Sequence, residues 1–243
     1  TFNSNRKYLI AVQEILLKDN KPNIISYAIG NDTLIKINES SSGGDHPCYI
    51  ISNDSDYILV ANYGSGNVGL LKLNENGELS SLLSIQQHYG KGTTSRQESA
   101  HAHSAFFIDQ SNIISADLGT NDIWFSHIDT LSRQLNYNQQ INLKMPMGGG
   151  PRHLTIHPNK KWIYVLNELT AYVSLVERMP DETYKLIDSY NSLPPTFNGN
   201  NTSADIHISN DGRFLYASNR GDDSIAIFKI NKRKNCLTFF RVF

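Results

Sequence analysis

A segment that recurs along this chain constrains its fold more than any single motif. His46 to Asn62, Pro151 to Asn167 and Ala204 to Asn219 line up as two short apolar runs joined by a polar turn, and His103 to Asp117 is a fourth copy. The polar residue that closes the second run falls at Gln13, Asn62, Asp117, Asn167 and Asn219, at intervals of 49, 55, 50 and 52 residues. Each unit holds about four strand-like runs. A repeat of roughly 40 to 50 residues with four strands describes a β-propeller blade, which buries its sheet faces against its neighbours.

The runs have the length and composition of strands. Tyr8 to Val12, Ile24 to Ile29, Tyr57 to Ala61, Val68 to Leu73, Trp162 to Leu166, Tyr172 to Val176, Phe214 to Ala217 and Ser224 to Ile230 are rich in Ile, Val, Leu, Tyr and Phe, with Asn, Asp, Gly, Ser and Pro between them. No long segment has helical period. The expected fold is all-β, a propeller of four-stranded antiparallel blades with about five blades covered, and residues 1–243 are expected to form one propeller domain. The first unit starts close to its second strand, and nothing at either end supplies the missing one, so the propeller is expected to be incomplete at both ends, with exposed sheet edges.

In an antiparallel hairpin the start of the first strand and the end of the second lie at the same end. That geometry gathers Glu14, Asn62, His101, His103, Arg152, His153, Glu168, Asp205, His207, Asn219 and Arg220 at one mouth of a central channel. His101 and His103, two apart, would point the same way on a strand, as would Asp205 and His207. Asn62, Asp117, Asn167 and Asn219 read as turn formers. Arg152, Arg220, Glu14 and Glu168 instead depart from what sister repeats carry at the same place, which is the internal mark of function that one sequence can offer. Gly90-Lys-Gly-Thr-Thr lacks the full spacing of a phosphate loop and reads as an exposed connection between blades. No Gly-x-Ser-x-Gly supports serine catalysis, and no two-histidine-plus-carboxylate spacing marks a metal site.

Several segments together resemble the seven-bladed propeller lactonases, which include the propeller type of 6-phosphogluconolactonase and the fungal carboxymuconate-lactonising enzymes. They are Ala61-Asn-Tyr-Gly-Ser-Gly-Asn-Val, Ala100-His-Ala-His-Ser, Asp117-Leu-Gly-Thr-Asn-Asp-Ile, Gly150-Pro-Arg-His-Leu-Thr-Ile-His-Pro, Tyr164-Val-Leu-Asn-Glu-Leu and Ala204 to Arg220. The resemblance implies seven blades in the full protein. It also implies an active-site cleft lined by His101 or His103, Arg152, Glu168 and Arg220; Glu14, Asn62, His153, Asp205 and His207, gathered by the hairpin geometry, are candidate substrate contacts.

The function it implies is hydrolysis of an anionic sugar lactone such as 6-phosphoglucono-1,5-lactone, with Glu168 or a histidine as base and arginines as anion ligands. Cycloisomerisation of a carboxylated muconate and a non-catalytic binding propeller are the alternatives. No cofactor or metal is expected. A net charge of -1 gives no reason to expect nucleic acid or an anionic membrane as partner, and no apolar run approaches the roughly 20 residues that span a bilayer. Two distant cysteines, Cys48 and Cys236, fit a reducing compartment, so a cytoplasmic protein is expected. The chain starts at Thr1 rather than Met, which is also compatible with a leader upstream.

Overall fold

The computed structural model describes residues 1–16, 23–137, 142–231 and 236–242. Strands β1 (Tyr8–Val12), β2 (Ile24–Ile29) and β3 (Leu34–Ser40) form the first antiparallel sheet. β4 (Pro47–Ser52), β5 (Tyr57–Asn62), β6 (Asn67–Lys72) and β7 (Ser84–Gln87) form the second. The third runs β8 (Ala102–Phe107), β9 (Asn112–Asp117), β10 (Asp122–Asp129) and β11 (Gln134–Tyr137), with β12 (Leu143–Lys144) also paired to β10. β13 (Pro151–Ile156), β14 (Trp162–Asn167), β15 (Tyr172–Arg178) and β16 (Tyr184–Asn191) make the fourth. The fifth is β17 (Thr202–Ile208), β18 (Phe214–Arg220), β19 (Ser224–Asn231) and β20 (Cys236–Val242).

Each sheet is a meander of sequential strands, as the repeat predicts. The first begins with β1, the strand closed by Gln13, as expected. Ahead of it Thr1, Phe2 and Asn3 pair with β1: Phe2 bridges Leu9, the Thr1 amino group donates to the Ile10 carbonyl, Ile10 N donates to the Thr1 carbonyl and Asn3 N to the Tyr8 carbonyl. Among the described residues no helix is long and apolar enough to cross a membrane.

The sheets stack in series, and the middle strands show why. Every residue of β5 is buried. Because side chains alternate across a strand, Tyr57, Leu59 and Ala61 pack on the third sheet, whereas Ile58 and Val60 pack on the first. In β14, Trp162, Tyr164 and Leu166 likewise face the fifth sheet, and Ile163 and Val165 face the third. Burial on both faces is the reason these strands read as continuous apolar runs rather than alternating ones. Each buried Leu or Ile contributes about 2 kcal/mol, against about 0.5 kcal/mol for an exposed ion pair such as Lys36–Glu39, so stacking decides the architecture. Leu34 and Ile35 of β3, and Ile225 and Phe240 of the fifth sheet, are exposed.

Polar side chains join neighbouring sheets. The Asp117 carboxylate, fully buried, accepts from His88 Nδ1 at 2.7 Å and from the backbone N–H groups of His101 and Thr120. His88 stacks on Trp124, with ring centroids 4.1 Å apart, and its Nε2 lies 3.5 Å from Ser115 Oγ. His157 Nε2 donates to the Gly212 carbonyl at 3.1 Å. A Cβ at Gly212 would stand 2.6 Å from that nitrogen, and φ is +66° there, so both space and backbone require glycine. Asn219 accepts from the hydroxyls of Ser192 and Ser203. Asp117 and Asn219 therefore do more than form turns: they tie sheets together, because the end of a second strand abuts the preceding blade.

Burial alone would raise the Asp117 carboxyl, but the His88 hydrogen bond and charge and the two N–H donors outweigh it and hold the group below the usual carboxylate value of 3.8. A carboxyl depressed in the folded state contributes stability above its unfolded pKa that is lost as pH falls through the folded value. Asp117→Asn is therefore expected to cost about 3 kcal/mol at pH 7, and the gap from wild type should narrow in urea melts below about pH 4.

Candidate active site

The site is built from irregularities that recur at the start of each first strand. Register shifts fall between Pro47 and Tyr49 in β4, Ala102 and Ser104 in β8, Pro151 and His153 in β13, and Ser203 and Ile206 in β17. A β-bulge re-aims the side chain it carries, and the bulged residues Cys48, His103 and Arg152 all line one pocket of about 270 Å³. The bulge breaks the strand alternation expected for His101 and His103. The structural pairing also makes Arg152 the counterpart of Cys48. Sequence comparison had set it opposite Pro47, since one residue fewer separates β4 from β5 than β13 from β14.

A second repeat position completes the wall. The residues following the closing polar residue of each second strand are Glu14, Tyr63, Leu118, Glu168 and Arg220, and all but the buried Leu118 line the pocket. Glu168 is held on both sides by main-chain bonds: its N–H donates to the Gly150 carbonyl, and its own carbonyl accepts from Ser203 N. Its side chain is buried among cations. Arg152 Nε lies 2.8 Å from Oε2, Arg220 Nη2 lies 3.2 Å from Oε1, and Arg96 Nη2 lies 3.3 Å from Oε1. His103 Nε2 stands 3.7 Å from Oε2, too far for a direct hydrogen bond. The Arg152 contact is a charge pairing rather than an aligned hydrogen bond; the guanidinium also donates through Nη1 to the Ala204 carbonyl.

Arg96 comes from the loop that the sequence marks only as an exposed connection. A single turn of 3-10 helix, Ser95–Gln97, carries it. The fully buried Gln97 pins that turn, donating to the Leu118 carbonyl at 2.8 Å and accepting from the N–H groups of Thr93 and Thr94. Arg96 then reaches Tyr63 Oη at 3.1 Å as well as Glu168. The hydrogen bond to Tyr63, with the Glu168 charge, raises the Arg96 pKa. Cys48, Tyr63 and Arg96 are the pocket residues the sequence reading missed. Tyr63 shares a repeat position with Glu168 and Arg220, a signal that could have found it; Arg96 has no counterpart in the other repeats.

The remaining candidates are placed differently. His101 is not in the pocket: it donates from Nδ1 to the Tyr63 carbonyl at 3.0 Å and stacks on the Tyr63 ring, so it supports that residue from behind. Asn62 is corrected as a substrate contact, because it is fully buried and its amide donates to the Ser42 carbonyl and Asn67 Oδ1. His153 lines the pocket with its ring edge-on to His103, and Asp205 holds its Nδ1 at 2.7 Å. Asp205 and His207 lie outside the lining, with His207 Nε2 2.9 Å from the other Asp205 oxygen. Asn219 serves the sheet junction described above.

Burial, and then the charges of Arg152 and His153, hold His103 well below the ordinary 6.5, so it is a neutral imidazole at pH 7. His153 is also lowered by burial, against the opposing pull of Asp205. Burial, with the nearby Glu14 charge, pushes the Cys48 thiol up to about 12. Its Sγ lies 3.5 Å from His103 Nδ1 and 3.4 Å from the His103 carbonyl. Among the described residues no group of three or more His, Cys, Asp or Glu could hold a metal ion.

A family description, "Lactonase, 7-bladed beta-propeller", matches residues 1–242. The chain belongs to this seven-bladed β-propeller lactonase family. Two similar relatives are the 6-phosphogluconolactonases of Bacillus subtilis and Formosa agariphila. The first is 31% identical over 242 residues, 98% of this chain and 67% of that protein. The second is 33% identical over 244 residues, 96% of this chain and 67% of that one. Among solved structures, the periplasmic gluconolactonase of Pseudomonas aeruginosa matches with a TM-score of 0.90 and 26% identity, covering 100% of this chain and 70% of that one. The chain thus spans about two thirds of the length of these three proteins.

A thiol with a pKa of about 12 holds almost no thiolate at pH 8. Iodoacetamide should therefore label Cys48 at least ~100-fold more slowly in the native protein than in urea, as followed by peptide mass spectrometry.

Proposed function

We propose that this chain hydrolyses an anionic sugar lactone, with 6-phosphoglucono-1,5-lactone as the substrate, acting as one propeller domain. The observation that carries this reading is a neutral histidine and three arginines converging on one buried carboxylate in a single small pocket. The names of the two 6-phosphogluconolactonase relatives favour the same substrate.

In this reading His103 is the base. Two groups competed for that role, and Glu168 is the poorer choice because its oxygens already serve three guanidinium groups. A water hydrogen-bonded to His103 Nε2, which at 3.7 Å from Glu168 Oε2 makes no direct hydrogen bond to that carboxylate, would be the nucleophile. Its oxygen attacks the lactone carbonyl carbon as Nε2 takes the proton. The carbonyl oxygen becomes an oxyanion stabilised by Arg152, which remains charged even where burial lowers its pKa. Collapse breaks the bond between carbonyl carbon and ring oxygen, and His103 returns the proton to the departing alkoxide. The product is the hydroxy acid. Glu168 fixes the arginines and offsets the positive charge on His103 during the cycle, while Arg220 anchors the substrate's anionic group.

Asp205 in turn orients His153, whose ring packs against His103. The two free cysteines, Cys48 and Cys236, are compatible with the cytoplasm as the proposed compartment.

Arg152→Lys is expected to lower kcat/KM on 6-phosphogluconolactone by about 100-fold or more with an unchanged circular dichroism spectrum. Full activity of this variant on that lactone and on carboxymuconolactone would sink the assignment. The pH profile offers a separate check. A base must be unprotonated to act, so activity should stay flat through neutrality and fall only as pH drops through the His103 pKa, well below 6.5. His103→Asn should remove about 100-fold or more of kcat.

A further inference from the structure

The two oxygens of the Glu168 carboxylate divide the pocket into unlike halves. Oε2 faces the interior, where the side chains of Arg152 and His103 are 16% and 9% exposed. Oε1 faces the rim and sits between Arg220 and Arg96, at 3.2 and 3.3 Å, with both side chains 50% exposed. These two arginines come from different places, the end of β18 and the turn between the second and third sheets. They converge on that one oxygen.

Charge around the pocket is unbalanced. Arg96, Arg152 and Arg220 face Glu168 and Glu14 as the lining carboxylates, and His103 is held neutral, so positive charge is in excess before any ligand enters. The excess is concentrated where the guanidinium groups remain open. Arg96 uses Nη2 for both Tyr63 and Glu168, and Arg220 uses Nη2 for Glu168 and the Ser203 carbonyl. Each planar fork keeps further N–H donors for a ligand. The Arg96 turn is fixed by buried Gln97 rather than by the arginine itself, so the guanidinium is presented ready-placed.

We propose that Arg96 and Arg220 form a clamp for a phosphate monoester at the pocket mouth, with Arg96 the residue that sets preference for phosphorylated over unphosphorylated ligands. Glu168 Oε1 marks the place of an anion between the two forks. A phosphate carries about -1.5 to -2 charge and three acceptor oxygens, enough to engage both arginines while the first still holds Tyr63. Seating the phosphate on the Oε1 side turns the other end of the ligand toward Arg152 and His103 on the Oε2 side. The clamp therefore orients the substrate as well as holding it. This inference rests on the lactone-hydrolase reading for its substrate, but the clamp itself is a binding property.

Calorimetric titration of the whole protein with 6-phosphogluconate and with gluconate tests it without turnover. Wild type should prefer the phosphorylated acid by at least about 30-fold at low salt, and the preference should shrink as salt rises. Arg96→Ala should reduce that preference about tenfold or more, and Arg96→Lys, which keeps the charge but loses the fork, by roughly threefold. Arg220→Gln should erode the same preference, so a misfolded Arg96→Ala protein leaves the test intact. Equal affinity of wild type for the two acids, no binding of 6-phosphogluconate, or an equal weakening of both by Arg96→Ala would overturn the clamp. Preference for the phosphorylated acid without hydrolysis of any lactone would keep the clamp and remove the lactonase reading. Hydrolysis without that preference would do the reverse.

Discussion

Burial of the middle strands on both faces is the constraint from which the rest of this structure follows. A sheet whose second strand sends Ile58 and Val60 one way and Tyr57, Leu59 and Ala61 the other has to lie between two other sheets. The same holds for β14. Repetition of the requirement about every 50 residues produces a stack rather than a sandwich, and a stack carries all its first-strand starts to one end. The candidate pocket is formed where that end gathers side chains from successive sheets.

Stacking brings strand ends together, and strand ends carry polar backbone that has to be satisfied. Asp117 with His88, His157 with Gly212, and Asn219 with Ser192 and Ser203 meet that need across sheet junctions. Each is costly to break because its groups are already out of water. The Asp117 and Asn219 contacts lie at the mouth end and the His157–Gly212 bond at the opposite end, and at the mouth the bulges of β8 and β13 bring His103 and Arg152 to one carboxylate. Arg152 reaches the Ala204 carbonyl, and Ser104 Oγ donates to the Arg152 carbonyl, so each bulge leans on the next sheet's. The pocket is thus made of the same inter-sheet contacts that hold the fold.

The site itself is electrostatically frugal: one buried glutamate organises three arginines that would otherwise repel one another. Glu168 and Arg152 are buried and paired, whereas Arg96 and Arg220 remain half-exposed and open to a ligand. Keeping His103 neutral beside this cluster follows from the same burial and the same positive neighbours.

Much of this was legible in the chain alone. The repeat, the positions of β1, β2, β5, β14 and β18, and the grouping of Arg152, Glu168 and Arg220 at one mouth follow from local rules, since strand period and hairpin direction are properties of neighbouring residues. What only tertiary structure decided lies across the chain. Arg96, 72 residues from Glu168, could enter the pocket only once Gln97 had pinned its turn under Leu118. Asn62 left it for the same reason in reverse: its amide is spent on Ser42, 20 residues away. His101 and His103 looked equivalent until a bulge separated them, and a bulge depends on how two strands pair rather than on the identity of either residue. Sequence specifies which polar residues arrive at the mouth; the packing of one sheet on the next determines which of them face the ligand and which hold the walls, because contacts between sheets are fixed only when the sheets have closed.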